Sequence, residues 1–287
     1  MKKQVFFKSI LTGIIYAIIT CIIQIPVANA LFSILNIQSD TSISNEKVPM
    51  LLLSIFVVGI AMSIYYYRNG HLFLANSKWG QGVKFALFIY FSNYVPQVFF
   101  LDANKGFLTL INGEFPVIQV ELFDFLILFI TVLLMITYMP CRYEFKHEKK
   151  HHNTIWWKSL ICGIAFSIFL IILQECLLPL FGIQSMAVGL NVSKENMLFF
   201  YSVMFVGFVL AGTLVSHCAL ILKCRNKNIR DIFCLEYGLL IWCAFDLTML
   251  PLGFGAISTI AFMITSIISF CIIECLCRYI AKILLRL

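Results

Sequence analysis

The sequence consists of long apolar runs separated by short polar stretches. Each run is about 20 residues long, which is the length that an α-helix needs to cross roughly 30 Å of hydrocarbon. The runs are continuously apolar rather than alternating, and helices satisfy their own backbone hydrogen bonds in lipid, so we predict helices rather than strands. The eight predicted spans are 9–29, 48–67, 82–101, 117–140, 156–181, 197–223, 234–252 and 256–280.

The composition agrees with this pattern. Of the 287 residues, 61% are hydrophobic and only 12% are charged, whereas soluble domains carry about 25% charged residues. The composition therefore excludes the soluble, collagen-like, disordered and disulfide-stabilised classes. The predicted fold class is all-α, a polytopic helical membrane protein.

Lys and Arg are concentrated on one side of the predicted membrane. Of the 21 basic residues, all but Lys47, Lys105 and Lys194 fall on that side when the chain is threaded through eight spans. Because basic loops are retained in the cytoplasm, we predict cytoplasmic termini and a location in the bacterial cytoplasmic (inner) membrane. The net charge of +7 then faces anionic lipid headgroups of the bilayer, and no nucleic-acid partner is expected.

Aromatic side chains cluster near the same predicted interface. They are Tyr65, Tyr66, Tyr67, Trp79, Trp156 and Trp157. Amphipathic rings settle at the headgroup level of a bilayer. We therefore predict that these six residues form a membrane-interface belt.

The two halves of the chain resemble each other. The matching segments are 8–13 with 158–163, 58–59 with 206–207, and 141–143 with 277–279. Four spans in each half make the copies parallel, and fused repeats commonly place their functional site at the interface of the copies. We predict a first four-helix repeat over 1–143, a basic cytoplasmic linker over 144–155 and a second four-helix repeat over 156–287.

Polar side chains within the apolar runs are the candidate functional residues, because an ionisable group at the bilayer centre is costly and usually marks function. Asp246 lies near the middle of the seventh span, about 18 Å from its start. The other candidates lie in the outer half of the membrane, and they are Gln24, Asn93, Asp124, Gln174 and Glu175. Together they predict an acidic cavity that opens to the outside between the two halves. For Gln24, Asn93 and Gln174 we favour the alternative role of interhelical hydrogen-bonding contacts, and for Asp246 we favour a functional role.

Three functions remain open at this point. The first is a carrier or permease for a small solute, either cationic or coupled to protons, because acidic groups at depth favour positive charge. The second is a non-catalytic subunit that docks a membrane or cytoplasmic protein partner through basic loops. The docking residues would be Arg142, Lys146, Lys149, Lys150, Arg225, Lys227 and Arg230. The third is an intramembrane enzyme for a lipid-linked substrate, with Asp246 or the pair Glu121 and Asp124 as acid and base.

Catalytic and metal-binding motifs are not found in the sequence. It lacks nucleophile-elbow, zinc-protease, Walker and dinucleotide-binding patterns, so we assign no catalytic residue and favour a non-enzymatic function, with the intramembrane enzyme kept as an alternative. None of the 11 cysteines lies in a predicted exterior loop. The spacing of Cys271, Cys275 and Cys277 does not match paired zinc ligands from two segments, so we expect neither a metal nor a cofactor.

Overall fold

The fold comes from a computed structural model, which describes residues 3–20, 47–73, 77–96, 129, 153–189, 192, 194–226, 230–250 and 255–286. The described residues contain helices and no strand, so the predicted all-α class is confirmed for them. The α-helices are α1 (Lys3–Ile19), α2 (Val48–Asn69), α3 (Lys78–Ile89), α4 (Asn153–Ile171), α5 (Leu178–Leu180), α6 (Met186–Gly189), α7 (Met197–Asn226), α8 (Phe233–Tyr237), α9 (Cys243–Asp246) and α10 (Ala256–Arg286). Turns of 3-10 helix lie at Gly70–Phe73, Lys194–Asn196 and Leu247–Met249, and π-helical turns lie at Tyr90–Tyr94, Ile172–Leu177 and Gly238–Trp242.

Four helical segments of the described chain are long and apolar enough to cross a membrane. They are Val48–Phe73, Ile155–Leu180, Met197–Cys224 and Ala256–Leu285. They correspond to the predicted spans 48–67, 156–181, 197–223 and 256–280, and they are consistent with a membrane protein. The other four predicted spans lie wholly or partly outside the described residues.

The predicted belt of aromatic residues is wrong at two positions. Tyr65 and Tyr66 are only 0% and 1% exposed, because both rings pack on Phe85 of α3, with centroid distances of 6.4 Å and 5.1 Å. Trp79 and Trp157 are 59% and 72% exposed. Exposed tryptophans therefore suit the interface, whereas the two tyrosines belong to the protein core.

The described helices belong to two compact units. Unit 1 comprises Met1–Tyr90, Lys105–Phe145 and Ala244–Gly255, and unit 2 comprises Phe91–Asn104, Lys146–Cys243 and Ala256–Leu287. Each unit therefore receives one short segment from the half of the chain that forms most of the other unit.

Unit 1 is built on a close crossing of α1 and α2 at two glycines. A Cβ atom added to Gly59 would lie 2.8 Å from Cα of Gly13, so only small residues permit this approach of the two backbones. The chain then turns into α3, where the Ser77 side chain caps the first turn by accepting from the backbone N–H of Gly80 at 3.0 Å. Gln81 Nε2 donates to the carbonyl of Gly70 at 2.7 Å and ties α3 to the end of α2.

Unit 2 has a glycine crossing of the same kind, between α4 and α7. A Cβ atom added to Gly212 would lie 2.9 Å from Cα of Gly163. Beside this crossing, Phe270 of α10 packs on Phe166 and on Trp242, with ring centroids 4.7 Å and 5.5 Å apart. The aromatic rings join α4, α10 and the turn after α8 into one core.

Exposed residues occupy the same positions in α1 and α4. In α1 the large exposed side chains are Phe6, Phe7, Leu11, Ile14 and Ile18, and in α4 they include Trp156, Trp157, Ile161, Ile164 and Ile168. The members of each pair are 150 residues apart in the sequence. This apolar stripe at helical spacing is what a helix presents to lipid.

Candidate functional site

The helix that carries Asp246 changes its type three times. It runs as α8, then as the π-helical turn Gly238–Trp242, then as α9, and finally as the 3-10 turn Leu247–Met249. Gly238 permits the close approach of this turn to α10, because a Cβ atom there would lie 2.6 Å from Cδ2 of Phe270. Asp246 ends α9 and is only 4% exposed. A nearly buried carboxyl group thus sits where the regular helix is interrupted.

Glu175 and Gln174 lie on another π-helical turn, Ile172–Leu177, but they point to different partners. The Glu175 carboxylate accepts from the backbone N–H of Met186 at 2.9 Å and from the Tyr201 hydroxyl at 3.1 Å. Gln174 is 2% exposed, and its Nε2 donates to Thr265 Oγ1 of α10 at 3.4 Å. Glu175 therefore holds the start of α6 against α7, whereas Gln174 faces the interior of unit 2.

Glu175→Gln is expected to loosen the start of α6. A hydrogen bond to a charged group contributes about 1.5 to 3 kcal/mol, so its loss speeds hydrogen exchange at the Met186 amide by about tenfold or more. Hydrogen exchange followed by mass spectrometry measures this change, and Glu195→Gln is the matched control because Glu195 is exposed. Unchanged exchange at Met186 would show that the carboxylate does not hold this segment.

Asn93 lies on the π-helical turn Tyr90–Tyr94 that follows α3, and it belongs to unit 2. Its side chain is 0% exposed, and neither Nδ2 nor Oδ1 has a hydrogen-bond partner among the described residues. The preceding residue, Ser92, is fixed within unit 2, because its hydroxyl lies 2.6 Å from the hydroxyl of Tyr237. The Asn93 amide is therefore buried without a hydrogen-bond partner in the part of the chain that the structure describes.

A buried ionic cluster, which the sequence analysis missed, joins α7 to α10. Lys223 is 0% exposed, and its Nζ donates to Glu274 Oε1 at 2.7 Å. The same carboxylate oxygen accepts from Arg278 Nε at 3.0 Å. The spacing of Glu274 and Arg278 by four residues was the available signal, because such side chains meet on one helix face.

The ionic cluster also fixes the connection from α7 to α8. Lys223 Nζ donates to the carbonyl of Asp231, and Glu274 Oε2 accepts from the backbone N–H of Cys234 at 3.0 Å. This second bond satisfies an N–H group in the first turn of α8, which has no partner within its own helix. Burial raises the pKa of the Asp231 carboxyl, although the charge of Lys223 opposes this shift.

The six predicted solute-binding residues are only partly described. Gln24 and Asp124 lie outside the described residues. Asn93, Gln174 and Glu175 belong to unit 2, and Asp246 belongs to unit 1. Within unit 2, Asn93 and Gln174 are buried, whereas Glu175 is half-buried with both carboxylate oxygens in hydrogen bonds.

The predicted docking loops lie mostly outside the described residues. This applies to Arg142, Lys146, Lys149, Lys150 and Lys227, and to the side chain of Arg225. Arg230 is exposed, and its carbonyl accepts from Arg278 Nη2 at 3.4 Å. Lys223, which precedes Arg225 by two residues, is buried in the ionic cluster and presents no charge to a docking partner.

Neither metal-binding groups nor similarity to known proteins identifies the function of the site. In the part of the chain that the structure describes, no group of three His, Cys, Asp or Glu side chains is arranged to hold a metal ion. Comparison of the chain with protein-family models, with curated proteins and with solved structures gives no match.

Proposed function

We propose that the protein is a small-solute carrier of the bacterial cytoplasmic membrane. The observation that carries this proposal is Asp246, a carboxyl group that is 4% exposed within a helix interrupted by π-helical and 3-10 turns. Ionisable groups at membrane depth commonly mark solute or ion pathways. Transporters place their binding sites at interrupted helices, because the interruption releases backbone groups for the solute.

The carrier is built from two parallel four-helix repeats. The matching exposure of α1 and α4 supports this organisation, and so do the two glycine crossings, Gly13 with Gly59 and Gly163 with Gly212. The concentration of Lys and Arg between alternate spans supports cytoplasmic termini. Both arguments favour a multi-pass protein.

Asp246→Asn tests the carrier proposal. The purified protein is first screened for small solutes that raise its Tm, and uptake of each stabilising solute is then measured in proteoliposomes. We expect Asp246→Asn to lower uptake about tenfold or more, which corresponds to a loss of about 1.4 kcal/mol. Glu195→Gln is the control at an exposed carboxyl, and size-exclusion chromatography verifies that both variants remain folded.

Two outcomes would contradict the proposal. Uptake that is unchanged in a folded Asp246→Asn variant removes Asp246 from the pathway. The absence of uptake for every solute that stabilises the protein removes the carrier function itself.

A further inference from the structure

Two buried cysteines of unit 2 are in contact through their thiol groups. Sγ of Cys277 in α10 lies 4.0 Å from Sγ of Cys162 in α4. Both residues are 0% exposed. They are 115 residues apart in the sequence, so the local spacing of cysteines near the end of the chain gave no indication of this contact. We call Cys162 and Cys277 the thiol pair.

Two further helices place polar groups beside the thiol pair. Cys277 Sγ is 4.0 Å from the carbonyl oxygen of Ser216 in α7, and the Ser216 side chain contacts the Cys162 thiol. Cys234 in α8 is 0% exposed, and its thiol is hydrogen-bonded to Cys277. Four helices therefore converge on the thiol pair.

The ionic cluster adjoins the thiol pair through Cys234. The backbone N–H of Cys234 donates to Glu274 Oε2 at 3.0 Å, and the Cys234 thiol lies within electrostatic range of both Glu274 and Lys223. A neighbouring lysine favours the thiolate, which is the form that binds metals. Glu274 has the opposite effect, but it is itself paired with Lys223 and Arg278. Positive charge is therefore present beside the place where thiolates would form.

The distance within the thiol pair suits a bridging ion better than a disulfide bond. Two sulfur atoms bonded to one ion at about 2.3 Å are about 4.0 Å apart when the bond angle is about 120°. A disulfide bond requires a separation of about 2.0 Å, so the sulfur atoms would have to approach each other by about 2 Å. The rings of Phe166 in α4 and Phe270 in α10 are already packed at 4.7 Å, which opposes a closer approach of the two helices.

The number and type of ligands select the ion. Structural zinc takes four ligands, and among the described residues no group of three His, Cys, Asp or Glu side chains is arranged to hold a metal ion. Soft thiolate ligands select Cu(I), and two thiolates are enough to bind this monovalent ion. The thiol pair therefore fits Cu(I) rather than zinc.

We propose that Cys162 and Cys277 bind one Cu(I) ion, which links α4 to α10 in the core of unit 2. This inference goes beyond the carrier function and does not depend on it. Cu(I) held by two glutathione thiolates would exchange its ligands with the protein. Two Cu–S bonds to glutathione break, two Cu–S bonds to the cysteines form, and the two cysteine protons pass to the released glutathione thiolates. Copper stays Cu(I), so the exchange needs no oxidant or reductant.

Copper loading during expression tests the site. Cells grown with added copper supply Cu(I) to the chain while it folds, so the burial of the thiol pair does not limit loading. Cys176 and Cys275 are exposed and would bind copper at the surface, so the double variant Cys176→Ser with Cys275→Ser is the background for every measurement. We expect this purified background protein to retain one copper ion per chain by elemental mass spectrometry. A copper-free protein overturns the inference.

Serine variants of the thiol pair distinguish this site from other copper-binding thiols. We expect Cys162→Ser and Cys277→Ser each to lower the retained copper about tenfold or more, because ligand loss weakens metal binding strongly. Both are expected to fold, since a helical hydroxyl donates to the carbonyl four residues earlier, as Thr12 does in α1 and Ser269 does in α10. Size-exclusion chromatography verifies the fold. Copper retained in a folded Cys162→Ser variant overturns the inference.

Two measurements on the background protein need no variant of the thiol pair. X-ray absorption at the copper edge is expected to show sulfur ligands at about 2.3 Å, and nitrogen or oxygen ligands in their place overturn the inference. Peptide mapping without reduction shows whether the two cysteines are cross-linked. A disulfide bond between Cys162 and Cys277 in copper-grown cells would replace the bridging ion and overturn the inference.

Discussion

Replacing Glu274 by Gln is expected to lower the free energy of unfolding by about 3 to 5 kcal/mol, which is the usual effect of removing one partner of a buried ion pair. The reason is that the ammonium group of Lys223, 0% exposed, would lose the carboxylate that neutralises it. Glu274 also accepts from Arg278 and from the N–H of Cys234, so two further bonds weaken. Titration of the purified protein with SDS, followed by tryptophan fluorescence, measures this change.

A double-variant cycle isolates the charge effect of the ion pair. Lys223→Met alone leaves a buried carboxylate without its main partner, whereas the double variant Lys223→Met with Glu274→Gln leaves no unpaired charge. We therefore expect the double variant to be more stable than the sum of the single effects predicts. Glu195→Gln, at an exposed carboxyl, is the control for the substitution itself. A coupling energy below about 1 kcal/mol between the two substitutions, the value typical of exposed pairs, would show that the pair is hydrated.

The ionic cluster shows that the position of a charged residue along its helix does not reveal whether its side chain is buried against another helix. Counting residues from the span end places Lys223 at the membrane interface, where long basic side chains extend to the headgroups. In the structure Lys223 turns inward, because Glu274 lies on the buried face of α10. A single sequence gives the position of each charge along its own helix, but not the partner on another helix.

The helical segments were predictable, and their interruptions were not. Apolar runs predicted four spans that the structure contains. The span predicted at 48–67 extends to Phe73, because a 3-10 turn continues it. The π-helical turns at Tyr90, Ile172 and Gly238 occur within apolar sequence that resembles an ordinary helix. Hydropathy does not distinguish helical types, so the irregular backbone beside Asn93, Gln174 and Asp246 was invisible in the sequence.

The sequence match between the halves agrees with the packing for the first helix of each half, but not for the second. In α1 and α4 the predicted offset of 150 also aligns the exposed positions. In the second helices, the predicted match of 58–59 with 206–207 differs from the packing, which gives Gly59 and Gly212 the same role at the crossing. Short apolar pairs recur by chance, whereas a backbone contact requires glycine at one particular position.

Replacing Gly163 or Gly212 by Ala is expected to separate α4 from α7. A Cβ atom on Gly163 would lie 2.5 Å from the carbonyl oxygen of Val209, and one on Gly212 would lie 2.8 Å from Cβ of Phe166. Neither contact is relieved by rotating a flexible side chain. Overpacking of this kind costs about 1 to 3 kcal/mol, and the free energy of unfolding in SDS measures it.

The same experiment tests the proposed repeat, because the α1–α2 crossing has matching contacts. A Cβ atom on Gly13 would lie 2.8 Å from the carbonyl oxygen of Phe56, so Gly13→Ala and Gly59→Ala are expected to destabilise the protein as much as the unit 2 variants. Gly255→Ala is the control, since no atom lies within 4 Å of the added Cβ. Destabilisation confined to one crossing would contradict equivalent packing, because a shared backbone contact makes both crossings equally intolerant of a methyl group.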